Sequence, residues 1–355
     1  MAKVYADTKV LHFPDRLAAL REGRPVAPVH VRIKPTNACN HNCWFCAYRS
    51  DNVSLGDGMN ARDRIPADKM TEIVDDLIEM GVRAVTFSGG GEPLIYRHIV
   101  EAVTRLAEGG IRVAALTNAS RLRGRVAEAF AAHATWLRVS IDGWDGPSYA
   151  RYRGVKDTVF EEIMDNLRSF ARLGSRCVLG ASIVVDKDNS GHILELATRL
   201  KDCGVSHVKV SPCIVSNSGV ENNAYHAPFY ERVRDEIAAA ERTLADDGFA
   251  VVDHYHRLEE RFDKGYGSCP FARFLTVIGA DLAVYSCQDK AYTRGGLLGS
   301  IADRTFKEFW FSDDNRRALA AIEPRRDCRH HCVADAKNRL LQDILDTDRD
   351  HAPFV

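Results

Sequence analysis

From about residue 30 to residue 212 the chain alternates short β-branched runs with longer amphipathic stretches. VHVRIKP (29–35), RAVTFSG (83–89), IRVAALTN (111–118), TWLRVSID (135–142), CVLGASIVVD (177–186) and SHVKVSPCIV (206–215) read as strands. Between them, ADKMTEIVDDLIEMG, YRHIVEAVTRLAEGG, GRVAEAFAAH, VFEEIMDNLRSFARLG and SGHILELATRLKDCG place apolar residues at i, i+3 and i+4, and most end in the glycine that a helix C-terminus prefers. Parallel neighbours need a crossover element between them, so six strands joined by five helices predict a parallel sheet. The expected class is α/β, a partial (β/α)6 TIM-like barrel. Residues 221–247 read as helical with a polar outer face, and FAVVDHYH after them as a short strand. After Gly265 the texture changes, which predicts a small C-terminal domain built around a hairpin and a metal.

In parallel sheets of this kind ligands bind beyond the carboxyl ends of the strands. The unusual residues fall there. A run of three cysteines follows the first strand, SGGGEP (88–93) the second and TNAS (117–120) the third, while SIDG (140–143) ends the fourth and SPC (211–213) the sixth. One rim of one sheet is therefore expected to gather the chemistry.

Composition narrows the classes. Apolar residues make up 45% and charged residues 27% of the 355, an ordinary globular balance, and the formal net charge of -1 offers no general attraction to nucleic acid. The N-terminal stretch has no apolar signal segment, and nowhere do 18 consecutive apolar residues occur, so no membrane partner is expected and the expected location is cytoplasmic. In a reducing compartment ten cysteines are better read as metal ligands and core residues than as disulfides. Cys177 and Cys203 are expected in the core.

Cys39, Cys43 and Cys46 supply three thiols from one tight loop, TNACNHNCWFCAYRS (36–50). Taken alone the triplet suits half of a zinc site, or a four-iron cluster with one iron left open. Its C-x3-C-x2-C spacing, with Phe45 directly before the last cysteine, resembles the signature of the radical S-adenosylmethionine (SAM) superfamily. That resemblance implies a 4Fe-4S cluster whose unique iron takes the amino and carboxylate groups of SAM, with Phe45 beside the adenine. GGGEP resembles the family's Gly-Gly-Glu turn, which assigns Gly90, Gly91 and Glu92 to the methionyl ammonium. Asn118, Ser140 and Asp142 are by the same resemblance candidates for the SAM carboxylate and ribose.

The remaining cysteines Cys269, Cys287, Cys328 and Cys332 form a second set of four. With Gly299, Ser300, Ile301 and the stretch Phe306 to Trp310, they resemble the SPASM or shorter twitch domain of radical SAM enzymes. A second, auxiliary 4Fe-4S cluster is implied. A structural zinc on the same ligands, or His330 or His331 in place of one thiol, stays open. Leu282 stands five positions before Cys287, where such domains usually have glycine, which unsettles the hairpin geometry. The expected division is 1–28 extension, 29–220 radical SAM core barrel, 221–264 connecting helical segment, 265–340 SPASM/twitch-like domain and 341–355 tail.

Cys213 ends a strand at the substrate rim. There it is a candidate hydrogen-atom donor, as the thiol is in radical epimerases, or a packing residue. His254 and His256 mark a polar region between core and tail. The expected activity is that of a radical SAM oxidoreductase or epimerase on a sugar, aminocyclitol or nucleotide sugar, served by a one-electron donor such as a flavodoxin or ferredoxin. A peptide-modifying maturase is the alternative, although the first 28 residues look too short for a leader-binding domain. An Fe-S sensor or cluster carrier is the non-enzymatic alternative, and it has no use for a Gly-Gly-Glu turn.

Overall fold

The computed structural model describes residues 5–49, 53, 56–257, 262–348, 350, 351, 353 and 354. The six expected strands form as β1 (His30–Ile33), β2 (Ala84–Phe87), β3 (Arg112–Thr117), β4 (Ala134–Ser140), β5 (Val178–Val185) and β6 (His207–Pro212). They are neighbours in chain order and parallel throughout. β7 (Ala250–Asp253) adds in parallel to β6, and β8 (Leu275–Ile278) adds in parallel to β1 at the opposite side. From β8 the chain turns back as β9 (Ala283–Tyr285), which pairs with β10 (Leu297–Ser300). The tail hairpin thus continues the barrel sheet in one run, β10-β9-β8-β1-β2-β3-β4-β5-β6-β7. The expected boundaries at residues 220 and 264 fall between strands of this one sheet, and the one at 340 falls inside the helix Asp335–Asp346.

The crossover helices lie where their periodicity predicts, at Ala67–Glu79, Ile99–Glu108, Gly124–His133, Thr158–Arg172 and Ile193–Asp202. Each turns its apolar stripe onto the sheet: Ile73 and Leu77, Val103 and Leu106, Ile163 and Leu167, Leu196 and Leu200 are all fully buried. Burial of each such side chain contributes roughly 1.5–3 kcal/mol. A further helix, Gly146–Arg153, is too short for a periodic signal. It is set instead by an Asp145–Ser148 capping box, Pro147 in its first turn and Gly154 in the left-handed conformation (φ 59°) at its end. The positive φ makes a side chain costly at position 154.

Alternation along the strands fixes what the sheet turns away from its helices. Val31 and Ile33, Val85 and Phe87, Leu137 and Val139, and Val208 and Val210 pack in the helix-side core. Their neighbours His30, Arg32, Lys34, Thr86, Ser88, Arg138, Ser140, Lys209 and Ser211 therefore face the inside of the curved sheet. The interior is polar and cationic. At the amino-terminal end of the strands, Tyr5 reaches His207 at 3.0 Å and receives Arg138 Nη1 at 3.3 Å.

Candidate active site

The three-cysteine loop leaves β1 and is held from several sides. Asn42 N–H donates to the Arg153 carbonyl at 2.8 Å, and Cys46 N–H to the Cys43 carbonyl at 3.2 Å. Arg153 Nη1 lies 3.4 Å from Cys43 Sγ, and the backbone N–H of His41 lies 3.4 Å from Cys39 Sγ. Burial pushes the Cys39 thiol up to about 11 and raises Cys46 as well. Thiols so placed become thiolates when a metal compensates their charge. The donor chemistry fits an iron–sulfur cluster: three sulfurs within eight residues, no carboxylate among them, and a guanidinium against one sulfur. Among the described residues no three His, Cys, Asp or Glu side chains gather around a single-ion position.

The Gly-Gly-Glu turn is moulded onto this loop. Gly91 N–H donates to the Thr36 carbonyl at 3.1 Å and Glu92 N–H to the Ala38 carbonyl at 2.9 Å. A Cβ on Gly91 would stand 1.8 Å from the Ala38 oxygen, so only glycine fits. The Glu92 carboxylate is buried and accepts from Leu94 N–H at 3.0 Å, Thr117 Oγ1 at 2.5 Å and Asn118 N–H at 2.7 Å. Burial raises its pKa, and those three donors oppose the rise. Asn118 in turn donates to Asn40 Oδ1 at 3.0 Å, so the ends of β2 and β3 are tied to the loop after β1.

At the end of β4, Asp142 is fully buried and forms an ion pair with Arg153. Its other oxygen accepts from Val184 N–H at 2.7 Å, and Ser140 Oγ accepts from Arg153 Nη2 at 2.9 Å. Burial alone would lower the Arg153 pKa; Asp142 and Cys43 outweigh it and hold the guanidinium charged. Its carbon centre lies 5.2 Å from the Phe45 ring centroid and 5.7 Å from that of Tyr149. One side chain therefore joins the cysteine loop, the end of β4 and the aromatic wall. Arg153 is absent from the sequence reading; its signal was the Asp145-x-x-Ser148 cap with Gly154 closing the same short helix.

Asp186, just past β5, was likewise passed over, although the strand-end rule covers it. Tyr152 donates to its Oδ1, while its Oδ2 is sealed from solvent with no partner. The Tyr152 ring stands 6.2 Å from Phe45, so Tyr152 links Asp186 to the same aromatic wall. Cys213 is buried at the end of β6, its N–H donating to the Val185 carbonyl at 2.8 Å. Burial, with Asp186 and Asp142 nearby, keeps its thiol protonated. His226 Nε2 contacts the Cys213 carbonyl at 2.8 Å and opens onto a groove of about 520 Å³ that His256 also lines. His256 pairs with Asp253 at 2.5 Å, and the His254 ring centroid lies 5.3 Å from that of Tyr5. Residues 258–261 of the polar stretch 253–267 lie outside the described residues. Cys177 and Cys203 are buried in the main core.

In the second cysteine set, Cys287 feels its burial first, then Asp289, and then Cys332, Cys269 and Cys328. Burial raises Cys287 well above its ordinary value and Cys269 to about 11. Two buried lysines flank the four. Lys264 donates to the carbonyls of Phe262 and His330 at 2.7 and 2.9 Å, and Lys290 to that of Asp327 at 2.9 Å. Four thiols, with two ammonium groups and the Asp289 carboxylate beside them, are a donor set that fits an iron–sulfur cluster. His331 packs its ring on Phe262 at 5.6 Å. Leu282 takes φ 62°, the left-handed conformation that explains the usual glycine at that position.

Residues 33–200 match the model of the radical SAM superfamily. Among curated relatives, the GTP 3',8-cyclase of Aeromonas hydrophila is 26% identical over 164 residues, 46% of this chain and 47% of that protein. The GTP 3',8-cyclase of Xanthomonas campestris is 24% identical over 294 residues, 77% and 83% of the two chains. The chain spans about half the length of the first of these relatives. Among solved structures, Streptococcus suis SuiB bound to its precursor peptide SuiA superposes with a TM-score of 0.64 at 17% identity, covering 94% of this chain and 78% of that one. Native anSMEcpe with bound AdoMet gives 0.58 at 16%, covering 90% and 96%. At these identities the likeness is one of fold.

Proposed function

We propose, on the premise that residues 33–200 are a radical SAM domain, that this protein cleaves SAM reductively and uses the resulting radical to take a hydrogen atom from a small polar substrate. Cys39, Cys43 and Cys46 would hold a four-iron cluster, which would supply the electron for that cleavage. The observation that carries the proposal is the fit of the Gly-Gly-Glu turn against the cysteine loop, so close that a Cβ on Gly91 would lie 1.8 Å from the Ala38 oxygen. That fit would give the loop a partner surface where a methionyl ammonium meets backbone carbonyls of the turn that Glu92 holds.

The chain's own residues then have separable tasks. Glu92 fixes the backbone of Leu94 and Asn118, which sets the turn that faces the ammonium. Asp142 is a positioning residue for Arg153, and Arg153 holds Phe45 and Cys43. Asp186 Oδ2, buried and unpartnered just past β5, is the acceptor suited to a ribose hydroxyl, whereas the sequence reading offered Asn118, Ser140 and Asp142 for the SAM carboxylate and ribose. Cys213, kept as a thiol, suits hydrogen-atom return to a substrate radical and would make the outcome epimerisation. Cys269, Cys287, Cys328 and Cys332 would hold the auxiliary 4Fe-4S cluster. Lys264 and Lys290 would favour its reduced, more negative form and Asp289 would oppose it; a cluster there could accept an electron from substrate in an oxidation.

Two readings of the substrate remain. The polar interior of the sheet favours a small molecule, but the relatives above give the expected sugar, aminocyclitol or nucleotide sugar no support. A peptide is the second reading, favoured by the shared fold with peptide-bound SuiB. Anaerobic incubation with reductant and deuterated candidate substrates separates them. Deuterium entering 5'-deoxyadenosine identifies the substrate; intact clusters with no 5'-deoxyadenosine at all would favour a sensor instead.

A further inference from the structure

His41 lies between Cys39 and Cys43 and is 4% exposed. Both of its ring nitrogens are sealed from solvent with no hydrogen-bond partner among the described residues. Packing alone gives no reason to bury an imidazole there, since an aliphatic side chain would fill the space at no polar cost. The His41 ring meets that of Tyr149 edge-on, with 6.0 Å between centroids. Tyr149 is fully buried and its hydroxyl is likewise unpartnered. Arg153, whose carbon centre lies 5.7 Å from the Tyr149 centroid, leaves its Nε without a partner as well.

These contacts form a circuit that begins and ends at the first cysteine set. The His41 backbone N–H lies 3.4 Å from Cys39 Sγ, and Arg153 Nη1 lies 3.4 Å from Cys43 Sγ. Buried polar groups are nearly always paired, so three unpaired side chains on one circuit require a physical account. Their inventory is unbalanced. The imidazole, the phenol and the Arg153 Nε–H offer three donors, while only the second imidazole nitrogen and the phenol oxygen accept. A single buried water would accept from about two of the three donors and bring donors of its own. What the circuit lacks is an acceptor that donates nothing, and the sulfurs of an iron–sulfur cluster are acceptors of that kind.

We propose that the His41 imidazole donates a hydrogen bond to the cluster held by Cys39, Cys43 and Cys46 and thereby raises its reduction potential. This rests on the reading that those three cysteines hold such a cluster. On reduction the cluster gains one electron and one unit of negative charge from a one-electron donor, which is oxidised, and no proton moves. An N–H donated to sulfur stabilises the more negative form. His41 then eases entry of the electron that SAM cleavage consumes, and Tyr149 holds its ring in place.

The test is a dithionite titration of the anaerobically reconstituted full chain, followed by electron paramagnetic resonance. The signal of the first set is the one missing from a Cys39→Ala, Cys43→Ala, Cys46→Ala variant, and the signal of the second set is the internal reference. His41→Leu removes both nitrogens and should make reduction of the first set about tenfold less favourable, a midpoint about 59 mV more negative. His41→Met, equally without a donor, is read alongside and should match it. His41→Gln keeps an N–H donor and should stay closer to wild type. The second set should not move in any of them. Before reconstitution, His41→Leu and His41→Met should melt at the wild-type temperature or higher, because an apolar group replaces unpaired buried nitrogens. A first-set midpoint unchanged in both apolar variants at full iron content, or one shifted equally in His41→Gln, would overturn the proposal. So would a lower melting temperature of both apolar variants, which would place a protein or water partner on the ring nitrogens already. If wild type gives no signal that the three-cysteine variant lacks, the functional reading fails and this inference with it; if it gives that signal and His41 does not move it, only this inference falls.

Discussion

Arg153→Met removes a buried cation from the point where three parts of the site meet. Arg153 is 4% exposed and pairs with Asp142, which is 0% exposed. Truncation leaves Asp142 buried with only the Val184 N–H at 2.7 Å to stabilise its charge. Breaking a buried pair from one side costs about 3–5 kcal/mol. For a chain of 355 residues, an unfolding entropy of about 2.1 cal/mol/K per residue turns that into a fall of about 4–7 °C in melting temperature. The assay is thermal unfolding by circular dichroism before cluster reconstitution, so that metal loss does not enter. Asp142→Asn with Arg153→Met removes both charges and should recover about 1–3 kcal/mol of the loss. A single variant within about 1 kcal/mol of wild type, or a double variant no better than the single, would refute the reasoning. After reconstitution, Arg153→Met should also bind less iron at the first site, because Cys43 loses the guanidinium 3.4 Å away.

Gly91→Ala places a Cβ 1.8 Å from the Ala38 oxygen and should abolish SAM cleavage by displacing the cysteine loop, read as 5'-deoxyadenosine by chromatography. Cys287→Ala should lower iron from about eight to about four per chain by elemental analysis, and an unchanged content would remove the auxiliary cluster from the account. Cys213→Ala should leave SAM cleavage in place while stopping a hydrogen-returning reaction; unchanged product would reduce Cys213 to packing. His30 is held to about 3 by burial and by Arg32, and His207 to about 4 by burial and by Arg138, both below the ordinary 6.5. Each takes up its proton first in the unfolded chain, so the stability it contributes is full above pH 6.5 and is lost as pH falls toward those values. His207→Gln should flatten the stability–pH slope between pH 6 and 4 by at most about 1.4 kcal/mol per pH unit, measured by urea unfolding.

Much of the scaffold was legible because its signals are local and repeated. Apolar periods set six strands and five crossover helices, and the strand-end rule put Cys39, Glu92, Asn118, Asp142 and Cys213 on one rim. The remainder depends on contacts that no period records. Helix Gly146–Arg153 spans barely two turns, so Arg153 reads as a surface residue until the fold brings it against Asp142. Lys264 and Lys290 look like ordinary solvated lysines, yet backbone carbonyls hold both beside the second cysteine set. The tail read as an appendage because β8 pairs with β1 across some 240 residues of chain, a pairing invisible to any window. Leu282 shows the reverse case. The missing glycine cast doubt on the hairpin, but the backbone takes the left-handed turn regardless, at a cost of roughly 1–2 kcal/mol.

The central claim is that Cys39, Cys43 and Cys46 cleave SAM reductively, and one comparison tests it most directly. Wild-type protein and a Cys39→Ala, Cys43→Ala, Cys46→Ala variant are reconstituted anaerobically, given dithionite and SAM, and assayed for 5'-deoxyadenosine. The account predicts product from wild type, and none from the variant although it retains about four irons on the second set. Equal product from both, or none from wild type carrying its full iron, would contradict it.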